Sequence, residues 1–120
     1  MLPAAARLRR RAEFTQTLRR GSRAAKPLVA GHLLVRPDSD ETPRIGFIVG
    51  RAVGTAVVRN RVRRQLRHLA RGYLRSLPGG SLLVLRANPG AATARQAEIA
   101  AELDLVIKTL LRRQGEARCR

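Results

Sequence analysis

The sequence is poor in cysteine, aromatics and acids, and each shortage excludes something. The single cysteine, Cys119, leaves no intrachain disulfide to form, and one Cys with His32 and His68 cannot assemble a Cys/His metal framework. Tryptophan is absent, and Phe14, Phe47 and Tyr73 are the only aromatics. A sheet that stacks two or three bases, as an RNA-recognition motif does, is therefore disfavoured. No apolar run approaches the ~20 residues that a membrane span needs, so no membrane partner is expected. The Arg-rich residues 1–11 lack an apolar stretch long enough for a secretory signal. A mitochondrial presequence is the competing reading of that segment; the basic character of the whole chain speaks against it. The expectation is a soluble, cytoplasmic protein with no metal site and no tightly bound cofactor of its own.

The shortage of acids is the strongest signal. Eight Asp and Glu face 25 Lys and Arg, a formal net charge of +17. Only Lys26 and Lys108 are lysines; the other 23 bases are Arg. A GC-rich genome accounts for Arg over Lys but not for bases over acids. A charge this large makes the folded chain repel itself, and a polyanionic partner relieves that. Arg in particular offers a planar fork of donors suited to phosphate. Nucleic acid is the first expectation.

At 120 residues and 44% hydrophobic, the chain suits one domain with a modest core, and no repeat or linker divides it. The single domain is expected over 1–120, with about 1–8 and 114–120 loose. Phe14 and Leu18, four apart, share a face of a short helix over 11–20, stopped by Gly21. Residues 28–35 are apolar and strand-like; 37–43 (PDSDETP) read as an acidic turn; 45–49 (IGFIV) make a second strand. A turn this short predicts an antiparallel pair. From 55 to 74 the period becomes helical, with Val58, Val62, Leu66, Leu69 and Tyr73 on one face. A third strand over 82–86 follows, then a helix over 93–113, with Thr93 as N-cap and Ile99, Leu103, Val106 and Leu110 inward. The fold class is α+β: an αββαβα sandwich of helices on a small mixed sheet.

On a helical wheel of about 100° per residue, Asn60, Arg63, Arg64, Arg67 and Arg71 turn away from the apolar stripe of the central helix, with Arg59 and Arg61 on its flanks. Most charge runs are merely solvated faces. Such faces usually mix signs to form i,i+4 pairs, whereas residues 42–97 hold eleven Arg and no acid. Phosphate binding is the better reading.

Catalysis by the protein itself has little support. The basic region supplies no convergent carboxylates for a metal nuclease, and nothing in the pattern brings His32 and His68 together. Gly46, Gly50 and Gly54 precede a helix, but Thr55-Ala56 stands where a phosphate loop needs Lys-Ser/Thr. A tight strand-to-helix turn explains these glycines.

One stretch is diagnostic. Arg44-Ile45-Gly46-Phe47-Ile48-Val49, followed by Val53-Gly54-Thr55-Ala56-Val57-Val58-Arg59-Asn60-Arg61-Val62-Arg63-Arg64-Gln65-Leu66-Arg67, resembles the signature of the bacterial ribonuclease P protein component, whose hallmark is an Arg-Asn-Arg box in a basic helix. The likeness extends to Glu13-Phe14 and Gly21 before it and to residues 82–89 after it. The resemblance implies a fold of the type shared with a ribosomal protein domain, with a left-handed βαβ crossover. It implies two RNA partners, the catalytic ribonuclease P RNA and precursor tRNA. The RNA, using Mg²⁺, carries out the hydrolysis that removes the 5′ leader, and no catalytic residue is expected in the protein.

Carried over by position, Arg59, Asn60, Arg61, Arg63, Arg64 and Arg67 would contact the catalytic RNA. Phe14, Leu18, His32 and Arg51 would belong to a leader cleft between the first helix and the sheet. The sequence departs from the family at Leu18, where a second aromatic is common, and at Ala52, where a cation is common. The cleft and the basic helix are expected to be separable surfaces, with Phe14 either a cleft residue or plain core. A structural RNA-binder of the same fold, such as a ribosomal protein, and a self-sufficient ribonuclease are the other readings; no protein partner is expected.

Overall fold

The computed structural model describes residues 2–118; Cys119 lies outside them. A 3-10 turn, Ala4–Ala6, precedes helix α1 (Arg11–Arg20). Strands β1 (Ser22–Ala25), β2 (Val29–Val35) and β3 (Arg44–Ile48) follow. Then come helix α2 (Ala56–Ala70), strand β4 (Ser81–Ala87) and helix α3 (Gln96–Arg118).

The sheet has the order β1-β2-β4-β3. β2 is antiparallel to both β1 and β4, while β3 and β4 are parallel neighbours joined through α2. Two expectations change here. β2 and β3 do run in opposite directions, but they are not hydrogen-bonded, because β4 lies between them. There is also a fourth strand: β1, with the sequence SRAA, has no apolar run to announce it and forms by pairing its backbone along the edge of β2.

Strand alternation gives the sheet two faces. Val29, Gly31, Leu33, Leu83, Leu85 and Ile45 point toward α2 and α3 and are buried. Gly31 is needed there, since a Cβ would stand 2.8 Å from Val106 of α3. The inward residues of α3, Ile99, Leu103, Val106 and Leu110, are all at most 1% exposed. In α2, Val62 and Leu66 are fully buried, while Val58, Leu69 and Tyr73 pack at the margin. The opposite face carries Leu82, Val84, Leu34 and Ile48, covered only in part by Phe14 of α1 and by Leu8.

Local signals explain the helix ends. Thr55 Oγ1 accepts from Val58 N at 3.4 Å and caps α2, which tightens beyond Ala70 into a 3-10 turn, Arg71–Ser76. Thr93 is not the cap of α3; it ends the 3-10 turn Pro89–Ala92, and α3 starts at Gln96, where Glu98 Oε1 accepts from Arg95 N at 3.0 Å. The side chain of Glu98 thus satisfies a donor that the helix start leaves open. α3 runs on to Arg118, past the expected end at 113. The segment before α1, expected to be loose, is packed: Leu2, Ala6 and Leu8 are buried, and Leu8 N donates to Ile45 O at 3.0 Å.

Candidate nucleic-acid interface

Five of the eight acids, Glu13, Glu41, Glu98, Glu102 and Asp104, are engaged within the protein. Glu13 of α1 and Glu41 of the acidic turn pair with Arg36 and Arg44 at 3.4–3.6 Å, tying α1 to the ends of β2 and β3. Glu102 accepts from Leu28 N at 2.8 Å. Asp104 accepts from Tyr73 Oη at 2.7 Å and pairs with Lys108 at 2.8 Å. The Lys108 ammonium, then the Tyr73 hydroxyl, hold the Asp104 carboxyl below its usual range. Burial first, then that hydrogen bond, pushes the Tyr73 phenol up to about 12. No acid pairs with an Arg of α2 among the described residues.

α2 presents Asn60, Arg63, Arg64, Arg67 and His68 along one groove of about 480 Å³. Asn60, Arg64 and His68 are exposed. Arg63 and Arg67, expected to point straight outward, are half-buried, because residues of the N-terminal segment and β3 stand beside them. Arg63 Nη1 donates to Asn60 Oδ1 at 3.4 Å. The flanking positions behave differently. Arg61 donates to Ala92 O and so pins α2 to the turn before α3. Arg59 is half-buried, with Nε enclosed and unpartnered. A groove of guanidiniums without a carboxylate can do one thing well, which is to hold phosphates.

Three of the expected cleft residues fall into two hollows, one around the β3 edge and one on the open face of the sheet. Phe14 lines the first, of about 250 Å³, together with Arg7, Arg9, Gly46, Arg63 and Arg67. Its ring lies on the bare backbone of Gly46, where a Cβ would be 2.3 Å from Cζ. Phe14 is thus both packed and accessible, against the expectation of one or the other. Arg63 and Arg67 line this hollow as well as the groove of α2, so the two hollows meet at these side chains.

Leu18 and His32 line a second hollow, of about 380 Å³, with Arg23 and Arg86. Leu18 is 37% exposed and does not pack beneath α1 as a core partner of Phe14. Arg51 lines neither hollow; it is exposed in the 3-10 turn Arg51–Val53.

The comparisons with known proteins agree with one another. The chain matches the family described as Ribonuclease P over residues 2–111. The chain belongs to the ribonuclease P protein family. It is 52% identical over 105 residues to the ribonuclease P protein component of a Nocardioides species, covering 87% of this chain and 90% of that one. With the protein component of Streptomyces griseus it shares 48% over 118 residues, 92% and 96% of the two chains. In fold it is similar to the ribonuclease P protein of Staphylococcus aureus, with a TM-score of 0.76 at 23% identity over 88% of this chain and 94% of that one. Its role is accordingly that of the protein subunit of a ribonucleoprotein endoribonuclease in tRNA 5′-end processing.

For a ribonuclease P protein, the residues that sequence reasoning missed are the arginines around the hollows. Arg86 was within reach: it follows Leu82 and Val84 at a spacing of two in a strand and must share their face. Arg23 was not, because β1 itself carried no signal. Among the described residues no three His, Cys, Asp or Glu side chains are grouped so as to hold a metal ion, and no helix is long and apolar enough to cross a membrane.

Proposed function

We propose that the groove of α2 binds the RNA subunit of ribonuclease P, and that the open sheet face beside α1 receives the 5′ leader of precursor tRNA. The observation that carries this reading is the convergence of Asn60, Arg63, Arg64 and Arg67 on a groove with no acid in its lining. Each phosphate such a groove neutralises releases a condensed counterion, which favours any polyanion, and the groove meets the Phe14 hollow at Arg63 and Arg67. In that hollow the Phe14 ring offers a stacking face to an unpaired base, flanked by cations for its phosphates. Mg²⁺ belongs to the RNA subunit, where the hydrolysis takes place; the protein positions both RNAs and neutralises their charge. The assembly works in the cytoplasm.

Reconstitution tests this. Added to a bacterial ribonuclease P RNA at low Mg²⁺, the protein should restore leader removal from precursor tRNA, and the protein freed of RNA should cleave nothing. A structural RNA-binder would leave the ribozyme inactive at low Mg²⁺, and turnover by the protein alone would transfer the chemistry to the protein.

A further inference from the structure

The second hollow is built differently from the first. Its side chains are those of three strands and α1: Arg23 from β1, His32 from β2, Arg86 from β4 and the apolar Leu18 from α1, with Asn88 at its end. Arg23 and His32 are directly opposite in the antiparallel β1–β2 pair. Arg86 is opposite Ala30, one step along the same face from His32. Opposite residues hold their Cβ atoms about 4.5–5.5 Å apart and diagonal ones about 7–8 Å, so both guanidiniums reach the imidazole's surroundings.

Neither guanidinium has an ion pair among the described residues, and no carboxylate lines the hollow. The backbone carbonyl of Arg23 is engaged by Arg113, and the amide of Asn88 donates to Lys26 O and Pro27 O, but these bonds leave the two guanidiniums uncommitted. Among the described residues the imidazole makes no hydrogen bond, and its Nδ1 is enclosed without a partner. A histidine kept for packing normally has its ring nitrogens satisfied. Two unpaired cations and an uncommitted imidazole facing one hollow are the complement of an anion.

We propose that Arg23, His32 and Arg86 form a subsite for one phosphodiester of single-stranded RNA, and that the bound phosphate draws a proton onto His32. This rests on the reading that the open sheet face takes the leader, and it adds to that reading a second anchor, remote from Phe14, and a proton linkage. In the free protein, burial first, then Arg23 and Arg86, keep the imidazole below its ordinary value, so it is neutral at pH 7. An anion between the two guanidiniums cancels their repulsion and adds an attraction, so the imidazole pKa rises on binding. Binding then takes up a proton, and affinity must increase as pH falls across the interval between the free and bound values, by at most tenfold per pH unit.

The test uses the full-length protein and a short oligouridylate, whose bases carry no group that titrates between pH 5.5 and 7.5. The His32 ring resonance, identified by its loss in His32→Gln, is titrated by NMR with and without saturating oligouridylate. The expected result is an upward move of its midpoint on binding and a tighter affinity at pH 5.5 than at 7.5, flattened in His32→Gln. Arg23→Ala with Arg86→Ala should raise the free midpoint, shrink the shift on binding, and reduce the log–log salt slope by about 0.7, the value for one single-strand phosphate. A midpoint that does not move, or a salt slope unchanged in the double variant, overturns the subsite. Failure of the leader reading itself looks different: in the holoenzyme, the precursor-to-mature tRNA affinity ratio would respond neither to Phe14→Leu nor to this double variant. If Phe14→Leu lowers that ratio and the double variant does not, the leader reading stands and the subsite falls.

Discussion

Replacing Arg63 and Arg67 together by Ala separates an RNA-binding face from a solvated one. Among the described residues neither side chain has an ion pair, and Arg63's one side-chain hydrogen bond is the 3.4 Å bond to the exposed Asn60. The fully buried neighbours on the helix, Val62 and Leu66, belong to the opposite stripe. Truncation therefore strands no buried partner, and Ala is the best helix former, so the melting temperature should stay within about 2 °C of the parent. Each guanidinium lost from a phosphate should flatten the plot of log K against log salt by about 0.7–0.9, so the pair should flatten it by about 1.4–1.8. A charge-assisted contact is worth about 1.5 kcal/mol, which makes the combined loss of affinity for ribonuclease P RNA about a hundredfold at low salt. Because both arginines also line the Phe14 hollow, affinity for the leader should fall as well; a sequence-based picture of two separate surfaces predicts no such loss. Filter binding across a salt series, alongside thermal denaturation, measures all three quantities. Unchanged affinity and slope with unchanged melting would refute the assignment of this face to phosphate.

Phe14→Leu should lower melting by a few degrees, since the ring packs on Leu82 and Val84, and should lower the precursor-to-mature affinity ratio by about 5- to 150-fold; an unaltered ratio makes Phe14 plain core. Gly46→Ala puts a methyl 2.3 Å from Phe14 Cζ and 3.1 Å from Leu8 Cβ, so the ring must leave its seat; a loss of about 1–3 kcal/mol in urea denaturation is expected, and full stability would show that the seat is loose. Tyr73→Phe removes one of the two side-chain partners of Asp104. A carboxyl held low in the folded state contributes stability above its unfolded value that is lost as pH falls, so the deficit should be present at pH 7 and fade below about pH 4; a deficit independent of pH in thermal melts would assign the effect to packing instead.

What the sequence determined by itself is whatever a short span of chain decides. The helical period from Val58 to Tyr73 places Val62 and Leu66 inward and the arginines of α2 outward without reference to any other element. Likewise Phe14 and Leu18 give α1, found over Arg11–Arg20, and the apolar spacing of Ile99, Leu103, Val106 and Leu110 gives the buried face of α3. The Arg-Asn-Arg box in that context was enough for the family. What only the tertiary structure decided is neighbourhood. The short turn between β2 and β3 invites pairing, yet β4, returning after α2, takes the place between them and satisfies both backbones. β1 exists because β2 offers an edge; Leu2 and Ala6 are held in the core on the α2 side of the sheet, and Leu8 is held against Leu82 and Val84 on the other side. The site follows the same rule. Phe14 lies beside Arg63 and Arg67, and Leu18 beside His32, Arg23 and Arg86, although helical spacing puts Phe14 and Leu18 on one face. Periodicity fixes the direction in which a side chain leaves its own element; which side chains meet depends on long-range packing, and no local pattern encodes that.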